Sequence, residues 1–284
     1  MIYAHMNRDD FISIDAIRFG LNGLQNNFRF FLVLMIIVAV LYNLPSLITT
    51  YFFKFQIQDG TPSSQDLMIL IAQVFVSMII YLTVELGLLN IALKFRDNAA
   101  VEFKDLFRGY PLLLKYLAAY IIFALMIMLP FLLVAAARAF PDRGTAETII
   151  FIIASMISLA AAAYLFLKYQ FYGYFIVDRG SGPIEALQLS GKITNGVLKN
   201  LFIFWMEMIL GIALALGTVS IFIEIPVAMI LQRVSEALAP LAGDLVSSAI
   251  ELLIIVPLTK LATADIYRRL EERSAAAVYR TIRR

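Results

Sequence analysis

Six long apolar stretches constrain this chain more than any other feature. They run from about Phe30 to Phe53, Leu67 to Leu93, Leu112 to Ala137, Glu147 to Ile176, Leu201 to Ile225 and Leu241 to Ala262. A helix needs about 20 mostly apolar residues, rising 1.5 Å each, to cross about 30 Å of hydrocarbon. Each stretch meets that length. None alternates with period two, which excludes a membrane β-barrel. The first is too long for a signal peptide and ends in no small-residue cleavage site, so it is expected to stay in the mature protein.

Composition agrees. Hydrophobic residues are 61% of the 284 and charged residues 15%, whereas a soluble domain is nearer half apolar and a quarter charged. Too few polar groups exist to cover a soluble surface. The same figures exclude disordered and fibrous chains, and a net charge of +2 excludes a general polyanion or nucleic-acid binder. With no cysteine there can be no disulfide, thiolate metal site or cysteine nucleophile. The expected fold is all-α: a polytopic membrane helical bundle of six transmembrane helices with cytoplasmic amphipathic interface helices.

The basic residues orient the bundle. Arg8, Arg18 and Arg29 precede the first stretch. Five lie between the second and third: Lys94, Arg96, Lys104, Arg108 and Lys115. Lys168, Arg179, Lys192 and Lys199 lie around the fourth-to-fifth connection, and seven follow from Lys260 to the end. Only Lys54, Arg138, Arg143 and Arg233 fall on the other side, so 19 of 23 basic residues share one face. That bias places both termini in the cytoplasm.

Each pair of stretches follows an amphipathic segment on the basic side: FISIDAIRFGLNGLQNNFRFF, AVEFKDLFRGYPLLLKYL and SGPIEALQLSGKITNGVLKNLF. Each sets an acidic residue (Asp15, Asp105, Glu185) before an apolar pair and a glycine. Within one membrane domain over 1–284, this pattern reads as a weak three-fold hairpin repeat, 11–93, 101–176 and 183–263. The alternative is that any re-entering hairpin needs caps and basic anchors there. In the first segment Ile14, Ile17, Leu21 and Leu24 carry the helical spacing. In the third, Ser181 is placed to cap, Pro183 suits the first turn and Glu185 the positive end of the dipole. That helix, Pro183 to Thr194, is too short to cross and is expected at the inner surface. Residues 264–284 read as a basic amphipathic cytoplasmic tail, with Ile266, Leu270, Val278 and Ile282 on one side. Its Arg268, Arg269, Arg273, Arg280, Arg283 and Arg284 are candidate contacts for an anionic lipid surface, or an ordinary retention signal.

Charges inside the apolar stretches are costly, about 2.5–3.5 kcal/mol each on insertion scales, and mark candidate sites. Glu85, Lys168, Glu207 and Glu251 are the candidate lining of a polar cavity for a proton, ion or lipid head group. Interhelical pairing that fixes the bundle is the alternative. Glu85, Lys168 and Glu207 lie in the cytoplasmic third, where they can neutralise one another, and Lys260 can snorkel to the inner face. Glu251 lies near the middle of the sixth stretch. It is expected to face the bundle interior as a neutral or water-bridged carboxyl. Pro45, Pro130, Pro226 and Pro257 interrupt or end apolar runs, as broken helices do at transporter sites, though proline is tolerated in membrane helices generally. Ser155, Ser158, Ala160 to Ala163, Gly211 and Gly217 suit close helix packing. The single histidine, His5, lies outside every stretch, and no phosphate-binding loop occurs. No catalytic residue, metal site or cofactor is expected.

From KYQFYGYFIVDRGSGPIEALQLSGKITNGVLKNLFIF, through Tyr174, Phe175, Asp178, Pro183, Glu185, Ala186, Leu187, Ser190, Gly196 and Lys199, the chain resembles a broad bacterial group of six-span membrane proteins. That group includes the membrane domain of some glycerophosphoryl diester phosphodiesterases. FKDLFRGYPLLLKYL and VPLTKLATADIYRRLEE are similar to it too. The resemblance implies an α-helical bundle in the bacterial inner membrane. It carries over no catalytic residue, because the soluble barrel and acidic metal cluster of the phosphodiesterase have no counterpart here.

Two functions fit these observations, the first ahead of the second, and an intramembrane enzyme ranks last. One is a non-enzymatic accessory, scaffold or assembly subunit of a larger membrane complex, whose partners are other membrane subunits and anionic lipid. The other is binding or transport of a lipid or small amphiphile through a polar intramembrane cavity. Co-purification of a protein partner or of a lipid separates them.

Overall fold

Apolar sequence of this length folds as helix, because in lipid each backbone N–H and C=O must bond within its own segment. The computed structural model describes residues 11–52, 64–138, 144–233 and 246–282, and among them there is no strand. The helices are α1 (Phe11–Asn26), α2 (Phe28–Phe52), α3 (Ser64–Arg96), α4 (Leu113–Arg138), α5 (Thr145–Tyr169), α6 (Tyr172–Arg179), α7 (Pro183–Ile193), α8 (Leu198–Val219), α9 (Ile225–Gln232) and α10 (Val256–Ile282). Five stretches are long and apolar enough to cross a membrane: Phe28–Tyr51, Ser64–Arg96, Phe103–Leu132, Thr148–Arg179 and Leu198–Gln232. The sixth expected stretch begins outside the described residues; from 246 onward it is helical. Large apolar side chains point outward along these helices, with Met68 71% and Phe222 73% exposed. Lipid is the solvent that tolerates such a surface.

The chain forms two compact units: Met1–Ser13, Pro111–Phe204 and Ile266–Arg284 in one, Ile14–Tyr110 and Trp205–Asp265 in the other.

In the second unit α1 departs from its apolar spacing. Ala16, Gly20 and Leu24 form its buried face, while Ile14 and Leu21 point outward. Small residues win because the neighbouring helix comes close: a Cβ on Gly20 would lie 2.8 Å from Leu258 Cδ1. The segment before α4 is not the helix its sequence pattern predicts. Gly109 and Pro111 break it into two 3-10 turns, Phe103–Leu106 and Tyr110–Leu112. The first turn is driven hard against α3, where a Cβ on Gly87 would stand 1.9 Å from the Leu106 carbonyl oxygen. Asp105 closes that turn by accepting the Glu102 N–H at 2.9 Å. Its carboxylate is fully buried and pairs with Lys94 at 2.8 Å and Arg108 at 3.1 Å. Asn90 donates to the Asp105 carbonyl at 3.1 Å.

Two wide π-type turns occur in this unit, Ser220–Glu224 and Glu251–Ile255. Each ends two residues before a proline, Pro226 or Pro257. Proline lacks the N–H and its ring presses on the carbonyl four residues back. The ladder therefore shifts by one: Ile225 N–H reaches the Ser220 carbonyl, and Val256 N–H reaches that of Glu251. Pro45, by contrast, stays inside α2.

In the first unit the fourth apolar stretch breaks at Gln170 and Phe171 rather than running on to Ile176. Helix α7 closes that break. Ser190 Oγ accepts the Phe171 N–H at 3.1 Å, and Ser190 and Thr194 hydroxyls donate to the Lys168 carbonyl at 3.1 and 3.0 Å. The groups freed at the break are thus satisfied by side chains, as a buried helix end requires. Helix α6 ends on Gly180 at φ 65°, a left-handed cap that favours glycine. Helix α7 begins at Pro183 as expected, but its N-cap is Gly182, not Ser181. Glu185 supplies the cap instead, accepting the Gly182 N–H at 3.1 Å. Ser158 Oγ donates to the Pro130 carbonyl at 3.0 Å, tying α5 to α4 through a small residue.

Candidate functional site

Three helical segments of the second unit present polar residues at helical spacing to a common space. From α2 come Met35, Ala39, Tyr42 and Asn43; from α3 come Tyr81, Glu85 and Leu88. Intervals of three and four keep each set on one helix face. The third wall is the π turn and the start of α10, with Glu251, Leu252, Val256, Thr259 and Lys260. Together they line a partly open cavity of about 770 Å³, within the range of small-molecule sites, roughly 300–1,000 Å³. Its lining is mostly apolar with a few polar groups, the usual composition of such sites.

Two of those polar groups satisfy each other. Lys260 Nζ donates to Glu85 Oε1 in an ion pair. The Tyr42 and Tyr81 rings lie 5.9 Å apart at 32°, within the range of aromatic pairs. Glu251 is exposed and lines the cavity. Ser247, near the other carboxylate of a π turn, donates to Glu224.

The residues singled out in the sequence divide. Glu85 and Glu251 share the cavity wall, and Lys168 and Glu207 are not among its described lining. The cation that meets Glu85 is Lys260, a residue whose stem can also reach the inner face by snorkelling. Its long stem instead carries the ammonium sideways to α3. Lys168 donates to the Tyr164 hydroxyl at 3.2 Å and stands over the Tyr164 and Tyr169 rings at 5.4 and 5.8 Å. Glu207 Oε2 is buried without a hydrogen-bond partner among the described residues. Tyr42, Asn43 and Tyr81 were missed, because an aromatic or amide residue in an apolar run carries no signal of its own. Their spacing on two helix faces was the signal available.

The first unit holds a second polar cluster, built differently. Arg268 grips both Asp178 oxygens at 2.8 Å and Glu271 at 2.8 Å. Arg179 donates its Nε to the same Glu271 at 3.1 Å. Tyr267 donates to Asp178 at 3.1 Å and stacks on Tyr174 at 5.2 Å. Burial, then the charges of Asp178 and Glu271 and the Asp178 hydrogen bond, push the Tyr267 phenol above its ordinary range. This cluster alters the picture of a tail starting at 264. Helix α10 runs through that point without a break, and Ala264, Asp265, Ile266, Tyr267 and Leu270 are buried. Arg268 is paired within the protein because Asp178, in the last turn of α6, faces it. Arg269 is half-buried and Arg273 exposed. The Arg280 side chain, Arg283 and Arg284 lie outside the described residues.

No family model, curated protein or solved structure matches this chain. Its class therefore rests on its own helices: it is a multi-pass, all-α integral membrane protein.

Proposed function

We propose that this protein binds a lipid or small amphiphile in the cavity between α2, α3 and the start of α10, and that it does so without catalysing a reaction. The cavity carries the reading: about 770 Å³, apolar over most of its lining, with Glu85, Lys260 and Glu251 as the charged groups of its described lining. An amphiphile matches that division, its chain against apolar wall and its head at the charged groups. The resemblance to the bacterial six-span group and the basic bias of the sequence support a place in the bacterial inner membrane, with six spans and both termini cytoplasmic. Anionic lipid at the cytoplasmic face then meets Arg273 and the arginines beyond it.

Extraction into polymer-bounded lipid discs followed by native mass spectrometry tests the reading. A bound small molecule is expected in the wild type. Ala39→Phe, which fills the cavity from α2, is expected to lose it while keeping its helical circular dichroism. A stoichiometric protein partner with an unliganded cavity would favour the accessory, scaffold or assembly reading instead.

A further inference from the structure

Among the described residues, the charged groups of the cavity wall do not balance. Glu85 and Glu251 bring two carboxyls, and Lys260 brings one ammonium. Lys260 is committed to Glu85. Glu251 makes no hydrogen bond or ion pair with another described residue through its side chain, yet it lies near the middle of the sixth apolar stretch of the sequence. A carboxyl there is costly unless something pairs with it. The same wall holds Tyr42 and Tyr81, whose electron-rich ring faces attract cations. An anionic head group would meet the Glu251 carboxyl and find Lys260, the lysine of the described wall, already engaged. A neutral head group would leave that carboxyl without a counter-charge. A cationic amine supplies the counter-charge and can also rest on an aromatic face.

From these features we infer that the cavity selects an amphiphile with a cationic amine head group, paired to Glu251 and flanked by Tyr42 and Tyr81. This rests on the amphiphile-binding reading and adds the chemistry of the head. The chain of the ligand lies along the apolar wall formed by Met35, Leu88 and Val256.

Three photoactivatable twelve-carbon probes that differ only in head group test the inference: a primary amine, an alcohol and a carboxylate. The full chain is placed in phosphatidylcholine discs and irradiated, and labelled peptides covering 35–43, 81–88 and 248–260 are quantified. The expected result is labelling by the amine in excess over both others. Glu251→Gln is expected to reduce that excess roughly tenfold or more, the value of one charge-assisted contact. Tyr81→Leu is expected to reduce it by less. Tyr81 is 45% exposed, so this variant keeps the inference testable should Glu251→Gln not fold. Equal labelling by the three probes, or an amine excess unchanged in the variants, overturns the cationic head group and leaves amphiphile binding intact. Absence of cavity labelling by every probe overturns both.

Discussion

The two polar clusters of this protein differ in whether their charges are spent. In the first unit Asp178, Arg179, Arg268 and Glu271 saturate one another, and Tyr267 adds a hydrogen bond to Asp178. Asp105, in the second unit, is held through Oδ2 by Lys94 and the Glu102 N–H, while its buried Oδ1 has only the ion-pair contact with Arg108 and no hydrogen bond among the described residues. Among the described residues, the cavity of that same unit has one satisfied pair and one carboxyl, Glu251, left over. Closed sets fix elements to one another, because removing one member strands the rest. A set with a group to spare contributes little to folding and is free to take a ligand.

Four substitutions sharpen or break this comparison. The largest effect is expected from Asp105→Ala. It strands Lys94 beside a buried turn and removes the cap of that turn, at a cost of about 3–5 kcal/mol, read as a lowered denaturation midpoint in detergent. Arg268→Ala follows, at about 2–3 kcal/mol, because contacts to two carboxylates vanish together; a midpoint unchanged from wild type would show that this cluster is not structural. Tyr267→Phe keeps the stacking on Tyr174 and loses only the bond to Asp178, about 1 kcal/mol. Glu251→Gln is expected to leave stability within about 0.5 kcal/mol. A large loss there would place Glu251 among the closed sets and erase the distinction between the regions.

The acidic residues before the hairpins show why such distinctions escape the sequence. Asp105 and Glu185 were aligned by pattern, and both do accept the N–H three residues back. Pattern catches that role because capping is local. Yet Asp105 is buried among cations and Glu185 is exposed. Burial depends on which segment packs above the turn, here α3 with its Gly87, and no local spacing encodes that.

The sequence by itself determined the solvent, the helical character of the long apolar stretches and the start of α7. Twenty-odd apolar residues in a row leave a chain in lipid no alternative to helix, and proline and glycine act on their own neighbours. Tertiary structure decided which intramembrane charges meet. Helix periodicity places Glu85 on one face of α3 and Lys260 on one face of α10, but only the packing of those helices makes them a pair. The same holds for Lys168, turned to its own tyrosines, and for Arg268, drawn from an expected lipid surface to Asp178. Pairing in a low-dielectric medium depends on distances of a few ångströms between segments remote in sequence, and those distances exist only once the helices are packed.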